Sequence, residues 1–172
     1  MLSGHTPEGA EPGPDISVVV PVHNEQDCVP ELHRRIRAAM DDFGRSWELL
    51  LVDDGSTDET RDRVREACRD DARVAGVFLA RNRGQCTAIY AGVQHSIGDV
   101  VVIMDGDLQH RPEDIPRLVA ELDRGFDLVS GRRTDRSDSL LMRRIPSLVA
   151  NWLLRRFSRC PARDMGGFSC LK

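Results

Sequence analysis

Long apolar runs are absent from this 172-residue chain, and so is a basic-then-apolar start. No stretch approaches the ~20 residues of a membrane-spanning helix, and no secretory signal is expected. The five cysteines (28, 68, 86, 160 and 170) form no CxxC pair and show no zinc-ligand spacing. Their odd number and scatter predict reduced thiols in a cytosolic setting. No GxGxxG follows the first predicted strand and no GxxxxGK occurs. That argues against a dinucleotide-dependent dehydrogenase and a P-loop NTPase.

What is present is a globular composition, 40% hydrophobic and 30% charged, in a length that suits one domain. The net charge of −4 is unevenly divided. Residues 132–172 hold nine Arg and one Lys against three Asp, a net of +7, and residues 1–131 carry −11. A basic segment on an acidic domain suits an anionic partner, a membrane or phosphates; a solvated helix face would read the same.

Residues 1–15, rich in Gly, Pro and Glu, are expected to be a flexible leader. Short β-branched or apolar runs predict strands at 16–20, closed by Pro21, and at 47–52, 73–79, 101–104 and 127–130. Between them, apolar residues at helical spacing predict helices over 26–43, 59–69, 85–96 and 112–124. Asn24 is expected to cap the first helix, and Ser56 or Thr57 the second. Strand and helix thus alternate about five times with short connections. The predicted fold is α/β, a mostly parallel sheet with helices on both faces.

Every charged cluster falls just after a strand: Asp53/Asp54, Arg81/Arg83, Asp105/Asp107 and Arg132/Arg133. They should gather at the carboxyl edge of the sheet, where such folds bind ligands. Asp105-Gly106-Asp107-Leu108-Gln109 is the most telling of these. Hard oxygen donors from Asp107, Gln109 and Asp105 suit Mg²⁺ or Mn²⁺ held jointly with phosphates. Asp-Gly is also a common surface turn, so both readings stand at this point. Asp53 beside Asp54 needs a shared donor or cation to offset their repulsion.

From Leu140 the pattern changes. Leu141, Ile145, Leu148, Val149, Trp152 and Leu153 follow helical spacing, flanked by Arg143, Arg144, Arg155 and Arg156. This basic amphipathic helix suits a membrane interface, or equally the domain's own core.

Pro21-Val-His23-Asn-Glu25, Val52-Asp-Asp-Gly-Ser-Thr-Asp58, Arg81-Asn-Arg83-Gly84 and Met104-Asp-Gly-Asp-Leu-Gln-His-Arg-Pro-Glu113 occur in the order of the motifs of family 2 glycosyltransferases, and the chain resembles that family. Asp-x-Asp-Leu-Gln-His followed by Pro-Glu resembles its polyprenyl-phosphate branch, which includes dolichyl-phosphate mannosyltransferases and undecaprenyl-phosphate glycosyltransferases. The resemblance covers residues 16–172 and implies a GT-A (Rossmann-like) fold. Its domain would span 16–139, with 140–172 holding the amphipathic helix and an incomplete acceptor-side motif. The chain stops inside that last motif, so a longer protein continuing into transmembrane helices is expected.

The resemblance implies inverting transfer of a sugar from a UDP- or GDP-linked donor to a polyprenyl phosphate on the cytoplasmic face of a membrane. The fragment alone would be soluble. Pro21, His23 and Glu25 would line the nucleoside pocket, although His23 stands where the family commonly has Tyr or Phe. Asp53 would bond the base, and Asp105 the ribose or metal. Asp107 and Gln109 would hold the divalent ion. Arg132 or Arg133 would stabilise the leaving diphosphate, and with Arg143 or Arg144 orient an acceptor already anionic. Trp152, Arg155 and Arg156 would face the membrane. The rival readings are a saccharide acceptor and a non-catalytic module binding nucleotide-sugar or membrane. An oligomer of like chains is left open, and no nucleic-acid partner is expected.

Overall fold

The computed structural model describes residues 13–131 and 168–172. Arg132, Arg133, Arg143, Arg144, Trp152, Arg155 and Arg156, with the predicted amphipathic helix, lie outside the described residues, as does the leader through residue 12.

Ten elements follow in chain order: β1 (Ile16–Val22), α1 (Val29–Phe43), β2 (Trp47–Asp53), α2 (Thr60–Asp70), β3 (Val74–Phe78), α3 (Gln85–His95), β4 (Val100–Ile103), α4 (Ile115–Leu122), β5 (Leu128–Ser130) and β6 (Ser169–Leu171). One 3₁₀ turn, Pro112–Asp114, leads into α4. The sheet order is β3-β2-β1-β4-β6-β5. β3, β2, β1 and β4 are mutually parallel, while β6 runs antiparallel between β4 and β5.

Strand parity explains why β1 and β2 read as unbroken apolar runs. Ile16, Val18, Val20 and Val22 of β1, with Trp47, Leu49 and Leu51 of β2, face a core made with α1, α2 and α4. Val19, Leu50 and Val52 face the other side, under Ala88 of α3. A strand covered on both faces has no solvent side to mark with polar residues. At ~1.5–3 kcal/mol for each fully buried Leu, Ile or Val, these side chains outweigh the exposed ion pairs, worth ~0–1 kcal/mol each. The expected stripes hold: Val29, Leu32, Ile36, Ala39 and Met40 of α1, and Ile115, Leu118, Val119 and Leu122 of α4, are buried. α3 presents a small face to the sheet, where a Cβ on Gly92 would collide with Val19 and Val52.

Several local expectations are corrected. β1 does not close at Pro21 but runs to Val22. Val19 O accepts from Met104 N and Val22 O from Asp54 N, so alternate residues address alternate neighbours. Pro21 therefore presents its missing donor toward β4, which has already ended, and no ladder bond is lost. Asn24 caps nothing. α1 starts after Cys28 without a side-chain cap, and α2 after Glu59, also without one. Asn24, Ser56 and Thr57 instead bond to one another across two loops. The closing residues, read from the sequence only as part of an incomplete acceptor-side motif, supply β6. Phe168 and Cys170 are buried in the main core.

Away from the carboxyl edge, buried Asp71 accepts from Arg73 Nε at 2.9 Å and Nη2 at 2.8 Å, and from the Arg73 amide at 3.0 Å. Arg73 also stacks 4.0 Å over Trp47 and donates to Asp41. The Arg73 hydrogen bonds pull the Asp71 carboxyl down from 3.8 to about 2, against its burial. A folded value below the unfolded one stabilises above pH ~4, and that stability is lost as pH falls toward 2. Asp71→Asn is expected to cost about 2 kcal/mol at pH 7. Urea unfolding should show the gap between variant and parent narrowing between pH 4 and 2; a gap independent of pH would refute the ion pair as its source.

Candidate active site

The chain runs β1, β2, β3 outward and then crosses back to place β4 on the far side of β1. The strand order therefore reverses between β1 and β4, and their carboxyl ends flank the crevice that open α/β sheets use for ligands. Pro21–Glu25 leaves one side of that crevice and Asp105–Asp107 the other. They touch through Gly106: a Cβ there would lie 2.7 Å from Val22 Cγ1 and 3.0 Å from Pro21 O. The middle residue of the acidic turn must be small for the turn to fold over the end of β1.

The loops behind this crevice are cross-linked in series. Asn24, held at φ 54°, donates its amide to Ser56 Oγ at 3.0 Å. Its Oδ1 accepts from Thr57 N at 2.9 Å. Glu25 N donates to Thr60 Oγ1 at 2.8 Å, and Glu59 N to Gln26 Oε1 at 3.0 Å. These bonds join the loop after β1 to the loop after β2. That second loop is joined in turn to the one after β3, where Asp54 accepts from Arg83 N and Gly84 N, both at 2.8 Å. A positive-φ residue is tolerated when its surroundings over-determine it, as they do Asn24.

The paired aspartates escape mutual repulsion by turning to different donors. Asp53 is fully buried, with Oδ2 bonded to Arg61 Nε at 3.0 Å and Nη2 at 2.9 Å, and Oδ1 to Ser56 N at 3.1 Å. Arg61 also donates to Leu79 O at 2.9 Å and stacks on Phe78. Both oxygens of Asp53 are thus engaged inward, and the carboxylate braces the pocket wall. The base contact that the resemblance implies for Asp53 would have to be made beside these bonds. Arg61, which no motif marked, is the residue sequence reasoning missed here. Its only trace is a position in the first turn of α2, eight residues after Asp53.

Other expected residues sit where the strand ends place them. Pro21 is buried in β1. His23 is half-buried on the crevice lip, and its Nδ1 is buried with no hydrogen-bond partner among the described residues. Glu25 lies beside Cys28. Burial first, then the hydrogen bond and charge of Glu25 and the charges of Asp107 and Asp27, push the Cys28 thiol up to about 11. One acidic field therefore spans the β1 loop and the β4 turn. Cys28, Cys68, Cys86 and Cys170 are all free thiols.

Within the turn, Asp107 Oδ1 accepts from Gln109 N at 3.0 Å, and Leu108 between them is held at φ 60°. Gln109 is exposed on the rim. Asp105 Oδ1 accepts from Gln85 Nε2 at 2.5 Å, so the first residue of α3 steadies it, another contact without a sequence signal. Among the described residues no three His, Cys, Asp or Glu side chains converge on one point. Two carboxylates one residue apart, in an acidic field and facing a crevice, suit a hard divalent cation whose remaining ligands are phosphate oxygens.

Gly131, the last described residue before Phe168, is fixed by its strand neighbours. β5 runs parallel to β4, since both oppose β6, and Ile103 and Ser130 both pair with Ser169. Gly131, whose N–H donates to Phe168 O at 2.8 Å, is therefore at the same carboxyl edge as Asp105.

A doubly wound α/β sheet with an acidic turn at its switch point defines the class of fold, GT-A-like. The chain belongs to glycosyl transferase family 2, whose family model matches residues 17–168. It is 44% identical over 163 residues to undecaprenyl-phosphate 4-deoxy-4-formamido-L-arabinose transferase of Salmonella paratyphi A, covering 94% of this chain and 49% of that protein. The chain spans about half the length of the curated relatives it matches. Glucosyl-3-phosphoglycerate synthase of Mycobacterium tuberculosis superposes with a TM-score of 0.69 at 26% identity, in a complex with Mn²⁺, UDP-glucose and glycerol 3-phosphate, over 93% of this chain and 57% of that one. A mannosyltransferase of Pyrobaculum calidifontis, complexed with GDP-Man and Mn²⁺, gives 0.58 at 25% identity, over 74% and 39%. No helix among the described residues is long and apolar enough to cross a membrane.

Proposed function

We propose that this chain carries the donor site of a glycosyltransferase that moves a sugar from a nucleoside diphosphate to a polyprenyl phosphate at a membrane surface. The observation that carries the reading is the pairing of Asp105 and Asp107 with the β1 loop at the switch point. The 44% identity to an undecaprenyl-phosphate transferase supports the acceptor class. The Mn²⁺ and nucleotide-sugar complexes of the structural neighbours support the donor.

In this reading the base and ribose lie along Pro21, His23 and Glu25, where the His23 Nδ1, without a partner among the described residues, meets a donor from the nucleoside. Asp53 works indirectly, by locking Arg61 and the loop over residues 53–57. Asp105, Asp107 and Gln109 hold a divalent ion, which when bound supplies positive charge against the diphosphate. Mn²⁺ and Mg²⁺ both suit these oxygens.

An acceptor phosphate oxygen forms the new bond to the anomeric carbon as the bond to the diphosphate breaks, with inversion, and the electron pair leaves with the diphosphate. The nucleophile is anionic near neutral pH, so no general base is required. Orientation by cations is required, and Arg132 and Arg133 follow directly from the carboxyl edge at Gly131. The basic residues Arg143, Arg144, Arg155 and Arg156, with Trp152, serve the membrane side. Gly131 and Phe168, the described residues on either side of 132–167, are hydrogen-bonded to each other at that edge.

The test is a thermal-shift screen of UDP, GDP and their sugars with and without Mn²⁺. One nucleotide series should raise Tm, and only with the ion. A 100-fold excess over Kd corresponds to about 2.7 kcal/mol of stabilisation. No stabilisation by any of them would overturn the donor reading. Transfer to polyprenyl phosphate in detergent, against a soluble saccharide, then decides the acceptor.

A further inference from the structure

His110 follows the acidic turn by three residues yet is buried. Its Nδ1 accepts from the Asp105 amide at 3.3 Å and lies 3.6 Å from Asp105 Oδ2. Its ring stacks on Phe168, with centroids 5.3 Å apart and planes 27° from parallel. As acceptor from the amide, Nδ1 carries no proton, and 3.6 Å is beyond hydrogen-bond length. The backbone contact ties the ring to the turn. Asp105 stands two residues past the end of β4, where its amide has left the sheet ladder, and its part-buried N–H finds an acceptor in the His110 ring. Phe168 sits immediately before β6, and its carbonyl takes the Gly131 amide at 2.8 Å.

These contacts connect three places distant in sequence, His110 and Phe168 being 58 residues apart: the turn bearing Asp105 and Asp107, the start of β6, and the end of β5. We propose that His110 is a positioning residue. It holds the Asp105 backbone through Nδ1 and locks the turn through its stack on Phe168, so that the carboxylates of the donor site keep a fixed relation to Phe168 and to Gly131 bonded to it. The inference rests on the donor reading for its consequence but not for its geometry. Leu108 at φ 60° is consistent with it, since a bulky residue in the left-handed region stays there only when both flanks are tied.

Two substitutions separate the contributions. His110→Asn keeps an amide group able to bond at the Nδ1 position and loses the stack. His110→Phe keeps the stack and loses the bond. Hydrogen exchange of the amides over 105–109, measured without any ligand, should accelerate at Asp105 by at least about 10-fold in His110→Phe. It should change at least about threefold less in His110→Asn. Titration of the nucleoside diphosphate in Mn²⁺ should show about 10-fold weaker binding for His110→Phe, with partial recovery in His110→Asn. Phe168→Leu should resemble His110→Asn. Unchanged exchange at Asp105 in His110→Phe would overturn the proposal, as would equal exchange in the Phe and Asn variants. If the parent protein binds no nucleotide, the donor reading fails, while the exchange measurement still decides whether His110 holds the turn.

Discussion

Asp107→Asn is expected to lower sugar transfer by at least about 10³-fold, roughly 4 kcal/mol of barrier, while Tm stays within about 2 °C of the parent. Stability should survive because Asp107 is half-buried and its Oδ1 accepts one backbone N–H, from Gln109, which an asparagine oxygen can accept equally. What asparagine lacks is the negative charge that a hard cation needs, and no third His, Cys, Asp or Glu converges there among the described residues to replace it. The same variant should lose the Mn²⁺-dependent part of nucleotide stabilisation. Calorimetric titration of nucleotide with and without Mn²⁺, beside a transfer assay, checks both. Retention of metal-dependent binding and turnover would remove Asp107 from the ion site.

Gly55→Ala should act in the opposite way, through the scaffold. Gly55 has φ 65°, and a Cβ there would fall onto the backbone of Arg81 and Asn82. An L-residue in this conformation costs about 1–2 kcal/mol, and separating two packed backbone segments adds about 1–3. A loss of about 3 kcal/mol, or about 6–12 °C in Tm, is expected. The loops after β2 and β3 would part, loosening the Asp54 bonds to Arg83 and Gly84 and the Arg61 brace on Leu79. Nucleotide affinity should fall with stability, and fluorescence-monitored urea unfolding with parallel nucleotide titration measures the two. A variant as stable as the parent would show that the loops tolerate separation, and the series cross-linking described for the crevice wall would be wrong.

These two residues also show what was legible beforehand. Asp107 was readable because carboxylates directly after an apolar strand have few structural uses, and the strand-to-helix rhythm placed them at one edge. Gly55 could be read only as part of a turn. The reason it must be glycine lies on Arg81, 26 residues away. Asn24, Ser56 and Thr57 were misread as helix caps for a similar cause. Their types suit caps, but the partner that claims them is another loop. β6 escaped notice because three residues after a glycine pair carry almost no periodicity. A strand so short exists by pairing with β4 and β5, whose partner residues lie 39 to 70 positions away.

The sequence by itself determined the α/β alternation, the buried stripes of α1, α3 and α4, and the edge on which the acidic turns collect. Each follows from hydrophobic periodicity, which is local and which burial enforces on every turn or strand. Tertiary structure alone decided that Asp53 turns inward to Arg61, that Gln85 and His110 hold Asp105, and that the last residues complete the sheet beside β4. Those outcomes depend on hydrogen bonds and ring contacts between distant residues. A single donor or acceptor has no period from which its partner could be read.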